Sequence, residues 1–252
     1  MKNFIAVILV LCCLAGLCAQ VNSEPPVVDL LQYNRDYIRN GLNRDLGYEH
    51  TFLKEDAFRL WGWSRNGAVA YTITDSENWR GAVITHAVIF DLVDDKILWN
   101  GSIASDEHYD ERNRRDNYDN AYNAFIAEFR NMSARHGIQT GQANFNPLPV
   151  VHNNTIISVS LIEVFDPAWS WNAVEFWIKF NRYSVTARRN NAVKTIGTVT
   201  RPNALSVVPC GYFQSPFENR ALIITAHFQY MMEGECWVGY QLFGCHLTAG
   251  FN

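Results

Sequence analysis

Apolar positions fall into three regimes along the chain. An unbroken apolar run occupies residues 4–18 directly after Lys2. Residues 24–56 are polar and rich in Asn, Arg and Tyr, open on Pro25 and Pro26, and hold no sustained period. From Phe58 onward the spacing becomes regular. Residues 68–75 alternate loosely. Residues 83–92 alternate strongly, with Ile84, His86, Val88, Phe90 and Leu92 on one face and Val83, Thr85, Ala87 and Ile89 on the other. Both faces are mostly apolar, which predicts an interior strand. Asp94 and Asp95 mark a turn, and residues 96–103 return as its partner with Ile97, Trp99 and Ile103 facing together.

Between residues 116 and 136 the spacing changes to that of a helix. Tyr118, Tyr122, Phe125, Phe129, Met132 and His136 recur at intervals of three and four, a single helical stripe that Gly137 is placed to terminate. Pro147 and Pro149 then break the chain. Residues 156–165, 173–181, 183–188, 221–230 and 236–243 follow as strands rich in β-branched and aromatic side chains. The pattern predicts an α+β fold, a predominantly antiparallel β sheet or sandwich with one long amphipathic helix packed on it. Its expected divisions are residues 1–19 as a signal peptide, 20–57 as an N-terminal arm, 58–143 as a β-meander plus helix, and 144–252 as a β-rich region. The last two are expected to form one compact unit, with two small β domains as the alternative.

The first apolar run changes the picture most. It is too short to cross a ~30 Å hydrocarbon core as a permanent helix, it follows a positive charge, and small residues succeed it, so it reads as a cleaved secretory signal. Cleavage after Ala19 is preferred to cleavage after Ser23. Cys12, Cys13 and Cys18 are preceded by Leu11, Cys12 and Leu17, which do not suit a lipoprotein signal. No later stretch is apolar enough for a transmembrane helix. A formal net charge of −4 and short basic clusters (Arg112, Arg114 and Arg115; Arg188 and Arg189) give nucleic acid no electrostatic footprint. The expected address is periplasmic or extracellular.

Two resemblances attach to local motifs. Trp61-Gly62-Trp63-Ser64-Arg65-Asn66-Gly67, followed by residues 88–92 and Trp99, is similar to one blade of a β-propeller, but the pattern has no second copy. It therefore implies a local meander. The Trp-Gly-Trp-Ser start, the Ser215-Pro216-Phe217-Glu218-Asn219-Arg220 segment and the closing Gly244-Cys245-His246-Leu247 with Gly250-Phe251 together resemble uncharacterised exported proteins of spirochaetes. That resemblance implies a bacterial envelope address and brings no activity with it.

Candidate chemistry is sparse. No nucleophile elbow, zinc-protease pair, phosphate loop or dinucleotide fingerprint occurs, so no cofactor is expected. Asp106, Glu107, His108, Asp110 and Glu111 crowd together without calcium-loop spacing, which reads as an exposed acidic loop. Thr225, His227 and Gln229 share one strand face, expected to be solvated. Past the leader only Cys210, Cys236 and Cys245 remain. Any disulfide is expected to join Cys245 to Cys210 or Cys236, with Cys210 the better partner because pairing to Cys236 needs a turn at Gly239 or Gly244. Trp61 and Trp63, and likewise Trp169 and Trp171, are two apart and would share a strand face. The first pair reads as core. For the second, core packing and an exposed ligand platform both remain open, and Trp169 is the residue favoured as exposed. The function these features support is a non-catalytic binding or cell-envelope protein with a glycan or an envelope protein as partner. The rival is a secreted glycosidase-like hydrolase whose carboxylates have no recognisable spacing.

Overall fold

A computed structural model describes residues 23–46, 49, 52–75, 82–108, 114–140, 143–164, 182–200, 204–230 and 235–251. Among them, strands β2 (Ala57–Trp63), β3 (Ala68–Asp75), β4 (Ile84–Asp91) and β5 (Lys96–Ala104) form an antiparallel meander in sequence order. The alternation at residues 83–92 thus reports a strand with a neighbour on each side, as its two apolar faces predict. Helix α2 (Arg114–Arg135) lies on the outer face of this meander. Its Phe129 ring stacks on Trp99 with centroids 5.6 Å apart and meets Trp61 edge-on at 5.3 Å. Gly137, at φ 70°, ends the helix. Its N–H bonds the Ala134 carbonyl and the Ile138 N–H bonds the Ser133 carbonyl, a glycine-dependent cap.

A second sheet packs on the inner face of the meander. It is ordered β1 (Phe52–Glu55), β13 (Glu235–His246), β12 (Arg220–Tyr230), β11 (Ser206–Gln214), β6 (Phe145–Asn146), and only the β1–β13 pair is parallel. Phe58, Leu60, Val69 and Tyr71 of the meander share one core with Phe213, Leu222, Ile224, Phe228 and Val238. A third sheet, β10 (Ala192–Thr200), β9 (Arg182–Arg189), β8 (Thr155–Val164), β7 (Val150–His152), covers the opposite face of the second. There Ala221, Ile223, Phe243 and Cys245 meet Ile157, Tyr183, Val185 and Ala187. The molecule is therefore a stack of helix, meander, central sheet and outer sheet. One core mixes residues from both expected halves.

Several expectations are corrected by this stack. Among the described residues two α-helices are present rather than one; α1 (Arg35–Leu46) carries only Ile38 and Leu42 as buried anchors and Gly41 interrupts its pattern, which left it unread in the sequence. The N-terminal segment is more than an arm. Leu30, Leu31, Ile38, Leu42 and Leu53 all enter the first core, and Arg35 ties the segment together through Glu55 and Asp29. Strands β10 and β11 escape the alternation rule because each contains a bulge, at Thr195/Gly197 and at Pro209/Gly211. Trp61 and Trp63 are both buried, as expected of core residues, yet they face opposite ways. A bulge between Leu60 and Gly62 inserts Trp61 as the extra residue, sending it toward α2 and Trp63 toward the central sheet. The expected strand at residues 173–181 lies outside the described residues.

Candidate functional site

The residues singled out in the sequence do not assemble into one site. Trp169 and Trp171 lie outside the described residues, as do Asp110 and Glu111. Asp106, Glu107 and His108 form a short 3-10 turn, and no three potential metal ligands cluster among the described residues. The disulfide expectation is corrected, since Cys210, Cys236 and Cys245 are all free and buried. Strand β13 runs without a turn from Glu235 to His246, which puts Cys236 and Cys245 roughly 30 Å apart along it, facing different cores. Cys210 lies on β11, with β12 between it and β13, and faces away from Cys245. Burial pushes the Cys210 thiol up to about 12 and that of Cys236 to about 11. Burial also raises Cys245, although Lys194 opposes the rise. A thiolate reagent applied to the folded protein should leave all three unmodified, and each should label once the chain is denatured, as peptide mapping would read.

The Thr225, His227 and Gln229 face is not the solvated surface expected. It belongs to the central sheet and points toward the outer one. Thr225 is fully buried, and its hydroxyl lies 3.3 Å from that of Tyr183. The next position on this face is a notch in the side-chain layer at Gly239, filled by the rings of His227 and Trp237. Strand β1 runs beside β13 with Lys54 opposite Trp237 and Glu55 opposite Val238, so Asp56 comes level with Gly239. From the other side, His227 pairs with Gly239 across β12 and β13. A Cβ at position 239 would overlap His227 Nε2 and lie 2.8 Å from Trp237 Cη2. The glycine thus lets the imidazole and the indole pack directly over its backbone, beside the acid.

These groups touch one another in sequence. Trp237 Nε1 donates to Asp56 Oδ1 at 3.1 Å, and the Trp237 ring meets His227 edge-on with centroids 5.5 Å apart. Asp56 is 9% exposed. Burial pushes its carboxyl up to about 7, the indole hydrogen bond opposes this, and the charge of Asp75 adds to it. Asp75 comes from the neighbouring strand, one step beyond the Ala57–Thr74 pair. Burial also lowers His227. Near neutrality the notch therefore holds a carboxyl that retains its proton much of the time, a second acid beside it, and an uncharged imidazole. Such a set can donate and accept hydrogen bonds to a polar ligand, or act as a general acid.

Sequence reasoning reached His227 but missed Asp56, Asp75 and Trp237. The only signal it had was the alternation that set His227 on a polar face.

Segments 215–220 and 244–247 meet at the opposite end of the stack, against the turns of the meander. Arg220 bonds the Leu92 carbonyl at 3.0 Å and pairs with Glu218 at 3.2 Å, Gly67 packs close against Glu218, and the Leu247 N–H bonds the Asn219 carbonyl. The cluster locks the turns of the meander to the central sheet. No family model, curated protein or solved structure matches this chain. No helix among the described residues is long and apolar enough to cross a membrane.

Proposed function

We propose that the chain is an exported, non-catalytic binding protein that holds a small polar ligand in the notch over Gly239. One observation carries the reading. Asp56, His227 and Trp237 converge on a stretch of backbone with no side chain, and the acid there is held partly protonated at neutral pH. A buried group of this kind costs stability in a protein that does not use it. Export rests on the composition of residues 1–19, and the resemblance to exported spirochaete proteins adds an envelope address. A glycan is the preferred ligand class, since its hydroxyls match a mixed donor and acceptor set and its ring face matches an indole. Trp169 and Trp171 are retained as a second platform for the same ligand class.

Two measurements test this. Intact mass of exported material should lack the first 19 to 23 residues, and a retained Met1 would remove the export reading. Screening of the folded chain against envelope glycans should give binding that Asp56→Asn and His227→Ala weaken. Trp169→Ala should reduce binding without lowering thermal stability.

The proximity of Asp75 to Asp56 favours a second reading, a secreted hydrolase. A raised carboxyl beside a second carboxyl is the kind of pair that divides acid from base in glycosidases. Turnover of a glycoside, ester or peptide substrate that disappears in Asp56→Asn would replace the binding reading with this one.

A further inference from the structure

At the other end of β2 from Asp56, the β2–β3 turn, the β4–β5 hairpin and the C-terminus of α2 enclose an open cavity of about 370 Å³. That volume is near the lower end of small-molecule sites, roughly 300–1,000 Å³. It suits a ligand of a few heavy atoms. Ala68 and Leu98 supply an apolar lining, and the polar lining includes Asp91, Arg135, His136 and Ser64.

The charges are arranged unusually. Asp91 and Arg135 line the same cavity, yet among the described residues they form no ion pair with each other. Asp91 is anchored on its own side, where its Oδ1 accepts the N–H of Val93 at 2.8 Å and of Asp94 at 3.3 Å. Lys96 pairs closely with Asp94 at 2.6 Å and more loosely with Asp91 Oδ2 at 3.8 Å. Arg135 sits on the last turn of α2, where the helix dipole favours a cation. The contact its guanidinium makes is a long one, 3.7 Å to the Met132 sulfur. His136 follows it at the same helix end. The Ser64 oxygen accepts the N–H groups of Asn66 at 3.2 Å and Ala68 at 2.9 Å, so its own hydrogen remains for an acceptor. A carboxylate held by its own turn and an exposed guanidinium, on separate elements, line one small cavity and so offer partners to a molecule that carries both charges.

We propose that this cavity binds a small zwitterion of the α-amino-acid type. Its ammonium group sits against Asp91 and its carboxylate against Arg135, with His136 and the Ser64 hydroxyl as further donors. The site is separate from the notch over Gly239 and does not depend on the reading given to that notch.

Calorimetric titration of the folded chain tests the proposal, using glycine, alanine, serine, glutamate, lysine and phenylalanine as separate probes and acetate and ethylamine as single-charge comparators. At least one amino acid should saturate with a Kd below about 1 mM and at least tenfold tighter than either comparator. Arg135→Gln and Asp91→Asn should each weaken it tenfold or more. Asparagine at 91 retains the oxygen that holds the turn, so that variant should stay folded. No saturable heat from any probe up to about 10 mM, or binding unchanged in both variants, overturns the proposal. Binding lost in Asp56→Asn but kept in Arg135→Gln would place the ligand in the notch and overturn it equally.

Discussion

Replacing Phe213 by alanine should lower the unfolding free energy by about 4 kcal/mol and the melting temperature by roughly 10 °C. Phe213 is fully buried on β11. Its ring packs against Phe145 of the same sheet at 5.0 Å and against Phe58 of the meander at 5.8 Å, and Phe58 in turn stacks on Tyr71 at 5.7 Å. Removing one ring from a chain of four leaves a cavity between two sheets that cannot close without moving one of them, which is why the upper part of the usual range applies. The loss should appear as a shift of a single cooperative transition, because the core involved draws on residues from Leu30 to Leu242. Two transitions, only one of them shifted, would mean that the meander unfolds apart from the central sheet. Tyr37→Ala is the matched control. That ring is 80% exposed, and its loss should change stability by no more than about 0.5 kcal/mol.

Asp56→Asn should make the protein more stable at pH 8 and leave it nearly unchanged at pH 4. The folded state holds the Asp56 carboxyl at about 7 against an ordinary 3.8, so between those values it binds a proton that the unfolded chain has released. Stability from this group is complete below pH 4, falls as the pH rises toward 7, and stays low above it. The full difference corresponds to roughly 4 kcal/mol, an upper figure because Asp75 contributes to it. Asparagine keeps an oxygen for the Trp237 indole and carries no charge to bury, so the variant should lack this slope in denaturant unfolding measured from pH 4 to 8. His227 works in the other direction, since its lowered value costs stability as the pH falls below 6.5. It is present in both proteins and cancels in the comparison. If Asp56→Asn is instead destabilising at pH 8, the buried carboxylate is a net stabilising partner of the indole, its carboxyl is not raised, and the notch loses its protonated acid at neutral pH.

Periodicity along the chain was enough to place strands β4, β5, β8, β9, β12 and β13 and helix α2, and to name Gly137 as the helix stop. Each of these depends on spacing between near neighbours, which alternation and helical phase report directly. Whatever depended on what lies over a strand was out of reach. The Thr225 and His227 face looked solvated because a polar residue at every second position is the pattern of an exposed edge, and only the outer sheet buries it. Trp61 and Trp63 appeared to share a face until a single inserted residue at the β2 bulge separated them.

The notch was illegible for the same reason. Asp56 and Trp237 are 181 positions apart and become partners through one short parallel pairing, β1 on β13, to which neither strand's own pattern points. The thiols show the converse, where a pairing allowed by composition is forbidden by an unbroken strand. In this protein the sequence by itself determined the long helix and the regularly alternating strands, because their apolar faces are set by the spacing of near neighbours. The tertiary structure alone decided which faces are covered and which acids meet, because those follow from contacts between residues that the chain keeps far apart.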